Sequence, residues 1–491
     1  MKRGLPITLI VLALLVLAWI LLWQDSAPDQ QQRQSFPTTL EQVSAAEPRQ
    51  RQMDIRSWQT EHGTRVLFMP AEQLPMVDIR LVFNAGSARD QLAGTASLTN
   101  HLLDQGADGL SVDEIAGGFE DLGARFSSES HRDMAVASLT SLSEPEFLDP
   151  AVSLFSRVIS RPDFPEEALE RARTRYLQGL MMQKQVPGPQ VNRAWNEVLF
   201  GEHPYGIPSS GDEESLPQIS TEQLRDFHQR YYHRDNLVIA LVGDLTEQQA
   251  RDLTGRLSGA LSDGEPAAPL DTASTHQQRL RRHIEFGSNQ THILLGNQLI
   301  QRGHPDRVPL HVGNHILGGG GFSSILMEEV RQQRGLVYGV SSSLSPMAAA
   351  GPFQVRLQTA NNNADDALAL TLSLIEDWVR DGPSDKQVEE AIDYLTGSFA
   401  LSTASNSQIV GQLGAMAFYD LPLDYLEWFQ NEVRQVTAEQ IRDALQRHIK
   451  PEHLAIVSIG PRQPDPAGSD ETGTDTEEAA EPVDGTGHEY Q

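Results

Sequence analysis

A short polar segment near position 100 contains residue types that bear on metal chemistry. Ser97, Asn100 and His101 lie within one turn of a predicted helix. Two histidines one helical turn apart, with a glutamate between them, can hold zinc and activate water. This segment has one histidine and no carboxylate, although Asp104 and His131 follow it. Because zinc needs three converging ligands, we predict no metal here, with zinc on His101, Asp104 and His131 as the alternative.

The composition excludes several other chemistries. The 491 residues include no cysteine, which rules out thiol nucleophiles, disulfides and thiolate metal sites. The formal net charge of −29, with no patch dense in Lys and Arg, argues against nucleic-acid binding because a polyanion repels an acidic surface. A glycine-rich segment at 318–321 lacks the Lys-Ser/Thr that a phosphate-binding loop requires, so we do not predict such a loop.

Strands alternate with amphipathic helices through the central part of the chain. We predict a strand over 76–84, a helix opened by a capping box at 111–114, a strand pair within 124–142, and helices over 144–159 and 165–185. The second half repeats this plan, with a strand over 293–299, helices over 309–317 and 323–333, and strands across 337–358. The predicted fold class is therefore α+β, with helices stacked on sheets as α/β sandwiches.

An internal repeat indicates two homologous domains. The helical segment at 222–226 recurs at 439–443, and the apolar strand ending at Gly243 recurs as one ending at Gly460. Both matches have the same offset of 217 residues, 222 to 439 and 243 to 460. A period this long indicates duplicated domains rather than a solenoid. The length agrees, since single cores stop growing near roughly 250–300 residues.

The two ends of the chain differ from this central part. Lys2 and Arg3 precede an apolar stretch from 7 to 23, which predicts an uncleaved N-terminal transmembrane signal anchor, with a cleaved signal peptide as the alternative. In a bacterium this places the chain in the inner membrane, single-pass, with its folded domains in the periplasm. The predicted boundaries are an anchor at 1–24, a flexible linker at 25–51, an N-terminal domain at 52–262, an interdomain linker at 263–283, a C-terminal domain at 284–461 and a disordered acidic tail at 462–491.

The order of several motifs resembles the insulinase/pitrilysin family of zinc peptidases, with its processing-peptidase-like fold. In that family a strand ending in Gly-Ser leads to a helix with the pattern G-x-A-H-x-x-E-H. Here Gly86-Ser87 is followed by Gly-Thr-Ala-Ser-Leu-Thr-Asn-His over 94–101. The helix over 111–123 and the His-Pro-Tyr-Gly at 203–206 follow in the family's order. The resemblance covers about Met53 to Gly460 and implies the family's two-domain fold.

The resemblance also implies that the zinc motif is degenerate. The family's first histidine falls at Ser97, its glutamate at Asn100 and its second histidine at His101. The distant glutamate ligand falls at Gln178 or Gly179. The resemblance therefore implies that this chain has no catalytic residue and binds no cofactor.

A second signature of the family is retained in the C-terminal half. The segments at 317–324 and 329–338 match its pattern L-G-G-G-x-S-S…R-x-x-x-G-L-x-Y. Matched residue by residue, the arginine and tyrosine that reach the peptide at the zinc are Arg331 and Tyr338. An arginine fork and a tyrosine hydroxyl can hold a substrate carbonyl and stabilise its developing charge. The alternative is that Arg331 is a surface charge and Tyr338 an ordinary strand residue.

Loss of the zinc residues with retention of the Arg/Tyr pair resembles the non-catalytic half of two-chain family members. This implies a subunit, inactive alone, that supplies Arg331 and Tyr338 to a zinc-bearing homologous partner that cleaves peptides. One alternative is a cell-envelope binding or scaffold protein that reuses the fold, since one fold can host many roles. Another is an active zinc endopeptidase, which predicts stoichiometric zinc in the isolated chain.

Overall fold

Two β-sheets with helices on both faces make up the part of the chain that the computed structural model describes, residues 53–273 and 278–461. The predicted signal anchor at 1–24, the predicted flexible linker at 25–51 and the predicted acidic tail at 462–491 all lie outside these residues. Within the described ranges, no helix combines the length and the apolar character that crossing a bilayer requires.

The first sheet has six strands in the order β1-β2-β8-β3-β7-β6. Strand β3 is antiparallel to both of its neighbours, and β2 runs parallel to β8. Because β6 lies at one end of the order, one of its edges has no neighbouring strand in this sheet. The strands are β1 (Arg56–Gln59), β2 (Arg65–Pro70), β3 (Met76–Phe83), β6 (Arg125–Ser130), β7 (Ala135–Leu142) and β8 (Leu237–Gly243), while β4 (Gly106–Ala107) and β5 (Leu110–Ser111) form a separate small pair.

The second sheet repeats five strands of the first in the same relative order, β11-β12-β10-β13-β9. Its central strand β10 is antiparallel to β12 and β13, and β9 runs parallel to β13, as β2 does to β8. The predicted two-domain α+β fold is confirmed by this arrangement. The strands are β9 (Leu280–Glu285), β10 (Gln290–Gln298), β11 (Val337–Leu344), β12 (Pro352–Ala360) and β13 (Ala455–Gly460).

Thirteen α-helices of the described residues cover the two sheets. The predicted capping box is present, since the Ser111 side chain accepts the Glu114 N–H and the Glu114 side chain accepts the Ser111 N–H. The helices are α1 (Thr95–His101), α2 (Val112–Asp121), α3 (Pro145–Ser160), α4 (Glu166–Gln183), α5 (Pro187–Phe200), α6 (Thr221–Tyr231), α7 (Glu247–Gly259), α8 (Arg307–Asn314), α9 (Ala364–Asp381), α10 (Asp385–Phe399), α11 (Asn406–Phe418), α12 (Tyr425–Gln435) and α13 (Ala438–His448).

Each half covers one face of its sheet with its own helices and the other face with a helix from the opposite half. Helix α11 packs on β2, β3 and β8 of the first sheet, where Leu413 meets Leu67 and Val242 in one apolar cluster. Helix α5 packs on β10 and β13 of the second sheet, where Trp195 joins a cluster with Val457. This exchange of helices makes both halves part of one compact unit.

One predicted boundary and one predicted helix differ from the structure. The second sheet begins at Leu280, inside the segment 263–283 that we predicted to be a linker, because Leu280–Glu285 pairs in parallel with β13. The helix predicted over 323–333 is also different in kind. A 3-10 turn occupies Gly321–Ser323, and the following Met327–Gln333 segment is π-helical.

Candidate functional site

Helix α1 carries the degenerate motif, and Asp90 fixes where the helix begins. The Asp90 carboxylate accepts the backbone N–H groups of Gly94 at 2.9 Å and of Ala96 at 2.7 Å. These are among the N–H groups that a helix leaves without internal partners, and Gly94 adopts the left-handed conformation at φ 95°. Burial outweighs both hydrogen bonds and raises the pKa of Asp90 to about 7.

This raised pKa predicts a pH dependence of stability. Asp90 holds a proton in the folded chain at pH values where the unfolded chain has lost it, so its contribution is complete below about pH 4 and is lost as the pH rises through about 7. One proton changes the unfolding free energy by at most about 1.4 kcal/mol per pH unit. Relative to Asp90→Asn, the wild type should therefore lose about 2 kcal/mol between pH 5 and pH 7 in urea titrations. Asp252→Asn, at an exposed position, is the control. Parallel plots of unfolding free energy against pH for wild type and Asp90→Asn would contradict the raised pKa of Asp90.

Ser97 stands at the first histidine position of the family motif, and its hydroxyl contacts another hydroxyl. The Ser97 hydroxyl lies 3.1 Å from the hydroxyl of Tyr176, which comes from helix α4. The Tyr176 ring also lies beside the His101 ring, with centroids 6.0 Å apart. Burial, together with the positive charge of Arg175, lowers the pKa of His101, so its imidazole is neutral at physiological pH.

The position of the family's glutamate is occupied by a buried amide that acts as a donor. The Asn100 side chain is 2% exposed, and its Nδ2 donates to the Tyr232 hydroxyl at 3.2 Å and to the Val136 carbonyl at 3.4 Å. An amide cannot act as a base at neutral pH. Asn100 therefore links helix α1 to the first sheet and to the residue that follows helix α6.

Helix α4 supplies one side chain that contacts the motif of helix α1. The residue of helix α4 that faces Ser97 and His101 is Tyr176, rather than Gln178 or Gly179. Gln178 is exposed, and a Cβ at Gly179 would have open space around it. At this point of helix α4 the side chain beside Ser97 and His101 is therefore a phenol.

The alternative zinc site on His101, Asp104 and His131 is absent from the described residues. His131 contacts Glu129 at 3.2 Å, and Asp104 accepts from the Gln105 side chain. In the described ranges, the one group of three His or carboxylate residues with ligand atoms within 4.8 Å of one another lies elsewhere, in the second half. The side chains of Ser97, Tyr176, Asn100 and His101 supply two hydroxyls, an amide and one imidazole, and this set does not fit zinc.

Arg331 and Tyr338 lie on adjoining irregular elements of the second half. Arg331 belongs to the π-helical segment Met327–Gln333, which packs against β11. Its guanidinium carbon is 5.2 Å from the centre of the Phe322 ring, and that ring is 68% exposed. Such π-helical turns are frequent at functional sites.

Tyr338 occupies a β-bulge near the start of the edge strand β11. The pairing of β11 with β12 shifts register between Val337 and Gly339, which leaves Tyr338 as the extra residue. A bulge redirects a side chain, and the Tyr338 side chain is 56% exposed. Further exposed apolar side chains occur in both halves, on helices α4 and α10 and close to their C-terminal ends: Met181, Met182, Val186, Tyr394 and Leu401.

A buried carboxylate that the sequence analysis did not identify joins the two halves. Asp133, 4% exposed in the turn between β6 and β7, accepts hydrogen bonds from the Tyr205 hydroxyl of its own half, from the Tyr419 hydroxyl at 2.8 Å and from the Ala348 N–H at 2.8 Å. The Ala349 N–H in turn donates to the Tyr205 hydroxyl at 2.9 Å. Tyr205 is the tyrosine of the His-Pro-Tyr-Gly motif, so that motif was the available signal. We call this group the Asp133 clasp.

Fold and site together define a class of protein: a two-sheet, processing-peptidase-like fold whose zinc-motif positions carry no zinc-binding set. Comparison with known proteins gives the family. The family model described as "Insulinase (Peptidase family M16)" matches residues 65–213, and that described as "Peptidase M16 inactive domain" matches residues 218–395. The chain belongs to the M16, or insulinase, family of peptidases.

Individual relatives agree with this membership. A solved structure from Pseudomonas fluorescens, described as a peptidase M16 inactive domain, is 43% identical with a TM-score of 0.81 and covers 84% of this chain and 99% of its own. A Bacillus subtilis protein described as an uncharacterized zinc protease is 24% identical, over 83% of this chain and 98% of its own length. A Helicobacter pylori protein described as a non-peptidase homolog is also 24% identical, over 82% of this chain and 92% of its own length.

Proposed function

We propose that this chain is the non-catalytic subunit of a membrane-anchored insulinase-family metallopeptidase. It pairs with a zinc-bearing homologous subunit and supplies Arg331 and Tyr338 to the peptide that the partner cleaves. The zinc belongs to the partner, and this chain binds none at its own motif. The observation that carries the proposal is the contrast between the two halves. The zinc-motif positions carry Ser97, Asn100 and the single histidine His101. Arg331 and Tyr338 remain in place, and Tyr338 is largely exposed.

The chemistry of the pair suits a substrate carbonyl. A guanidinium offers two parallel N–H donors, and a phenol offers one O–H donor, so the two can contact a peptide oxygen from different directions. Donors placed where negative charge develops during hydrolysis lower the barrier. Zinc in the partner would activate water in such a pair, whereas this chain would orient the peptide and stabilise charge.

The edge strands and exposed apolar side chains support a peptide as substrate. Strand β6 lies at one end of its sheet and beside helix α1, and strand β11 lies at one end of the other sheet. An unfolded peptide can add to such an edge through backbone hydrogen bonds. Exposed aromatic rings such as Phe322 offer contacts for apolar side chains.

Location is part of the proposal. The apolar segment at 7–23 anchors the chain in the bacterial inner membrane, and the folded residues lie in the periplasm. The net charge of −29 makes a nucleic-acid partner unsuitable.

The test is a reconstituted pair with the zinc-bearing homologue that co-purifies with this chain. Arg331→Ala combined with Tyr338→Phe should lower kcat/KM on an unfolded peptide by about 100-fold, the effect of losing donors to a developing oxyanion. Arg334→Ala is the matched control, since Arg334 follows the same helix, is 55% exposed and contacts only Glu329 among the ion pairs of the described residues.

Three results would count against the proposal. Turnover that survives the double variant would remove the role of the pair. The absence of any zinc-bearing partner would favour an envelope binding or scaffold protein. Chelator-sensitive cleavage by the isolated chain, abolished by His101→Ala, would show that the chain is itself an active zinc endopeptidase.

A further inference from the structure

A second group of metal-ligand types lies in the second half, outside the motif of helix α1. His304, Asp306 and His448 each offer one ligand atom, and the three atoms lie within 4.8 Å of one another. Asp306 is the residue before helix α8, and His448 is the last residue of helix α13. Two helix ends that are distant in sequence therefore bring two imidazoles and one carboxylate together.

We propose that His304, Asp306 and His448 form a binding site for a divalent transition metal, with Zn²⁺ as the best match. Two histidines and one carboxylate, with a fourth position open to water or another ligand, are a zinc ligand set found in proteins. The site goes beyond the proposed function, because it uses neither the Arg331/Tyr338 pair nor the positions of the family's zinc motif.

The three side chains are already oriented by neighbours. The His304 ring accepts the Asp306 backbone N–H at Nδ1, at 3.0 Å. The His448 Nε2 lies 2.7 Å from Asp306 Oδ2, and the two histidine rings meet edge to face with centroids 4.9 Å apart. Asn297 donates to the His448 carbonyl at 3.0 Å, which holds the end of helix α13. The bond from the Asp306 N–H to His304 must be released when a metal binds, because a neutral imidazole has one nitrogen lone pair.

The change in ligand-to-ligand distances that a metal requires is small. Ligand atoms about 2.0–2.1 Å from a tetrahedral zinc lie about 3.3 Å from one another. The contact between His448 and Asp306 must open by about half an ångström toward that value, and the farthest ligand atoms, at most 4.8 Å apart, must close. Side-chain rotation alone supplies movements of this size.

Arg447 already pairs with the Asp306 carboxylate and would compete with a metal cation for it. Its Nε lies 3.0 Å from Asp306 Oδ2 and its Nη2 lies 2.7 Å from Oδ1. The Arg447 side chain is 54% exposed, whereas the Asp306 side chain is 17% exposed. Arg447 can therefore swing into solvent while Asp306 stays in place, and a metal would take over the neutralisation of the carboxylate.

A groove borders the carboxylate of the proposed site, and neither histidine lines it. It has a volume of about 380 Å³, is bordered by Asp306 and Arg447, and includes Glu432 and Asp443 in its walls. Acidic walls raise the local concentration of cations. A bound metal would link the start of helix α8 to the end of helix α13 and so stabilise the second half.

The test is titration of the purified chain, stripped of metal, with Zn²⁺ by calorimetry and with Co²⁺ by visible absorption. One equivalent should bind, with the intense cobalt bands of a tetrahedral site. His304→Ala and His448→Ala should each weaken binding at least about tenfold, because two remaining ligands do not complete a site. Arg447→Ala should tighten binding several-fold, which a purely structural ion pair would not do.

Controls separate this site from the family's motif and from misfolding. His101→Ala should leave binding unchanged, and circular dichroism without metal should show that each variant folds. Failure to bind one equivalent, equal affinity in His304→Ala, or loss of binding in His101→Ala would each overturn the proposal. None of these outcomes depends on whether the chain pairs with a peptidase subunit.

Discussion

Asp133→Ala is expected to lower the free energy of unfolding by about 4 kcal/mol. The carboxylate of the Asp133 clasp accepts from two tyrosine hydroxyls and one backbone N–H. When it is removed, the Tyr205 hydroxyl stays buried and the Tyr419 hydroxyl stays partly buried. Each buried donor without an acceptor costs about 1–3 kcal/mol. Burial, the first cause, and the charge of Asp133 raise the pKa of Tyr205 and of Tyr419, so both hydroxyls keep their protons and must donate.

Urea unfolding monitored by circular dichroism measures this effect. Asp133→Asn should fall between wild type and alanine, because the amide keeps one accepting oxygen but turns a donor toward another donor. Asp149→Ala is the control, since Asp149 is 54% exposed and, within the described part of the chain, forms an ion pair only with Arg256. Exposed ion pairs contribute about 0–1 kcal/mol. Equal stability of the Asp133→Ala and Asp149→Ala variants would show that the clasp does not hold the halves together.

Trp195→Ala is expected to lower the free energy of unfolding by about 3–5 kcal/mol, the usual range for truncating a buried aromatic side chain. Trp195 is 2% exposed on helix α5 and packs in a cluster with the outer face of the second sheet, including Leu294 and Val457. The cavity would therefore form between helix α5 of the first half and a sheet of the second. Both halves should still unfold in a single transition, because each supplies a helix to the other.

Trp428→Ala provides the matched comparison. Trp428 lies on helix α12, is 38% exposed and contacts Tyr425 at a ring distance of 5.5 Å. Its truncation should cost about 1 kcal/mol, because much of its surface already faces water. If Trp195→Ala lost no more stability than Trp428→Ala, helix α5 would not couple the halves as we infer.

Local patterns predicted the elements and the repeat of this chain well. The capping box at Ser111, the strand ending at Phe83 and the offset of 217 residues between the final helices and strands all depend on neighbours in sequence. The same holds for the degenerate motif, since Ser97, Asn100 and His101 fall within one short helix. Whether the predicted boundary of the first domain at 262 marks an independent unit stays a prediction.

Contacts between residues far apart in sequence could not be predicted, for physical reasons. Gln178 and Tyr176 differ by about 200° around helix α4, so a two-residue error in alignment selects the opposite face. The Asp133 clasp joins residues up to 286 positions apart, and the His304–Asp306–His448 group spans more than 140. No periodic pattern in a single sequence specifies which distant side chain meets a carboxylate. The sequence of an amphipathic helix likewise does not show whether the helix covers the sheet of its own half or that of the other half.

The crossed placement of helices α5 and α11 bears on how such a chain arose. If either half existed alone, one face of its sheet, with residues such as Leu67 or Val457, would meet water. A half-length ancestor would have needed a second copy of itself, with each copy lending the helix that corresponds to α5 and α11 to the other about a twofold axis. Fusion of the two genes would then have joined an existing dimer and freed each half to change separately. That freedom accounts for a protein in which one half lost its metal ligands while the other kept its arginine and tyrosine.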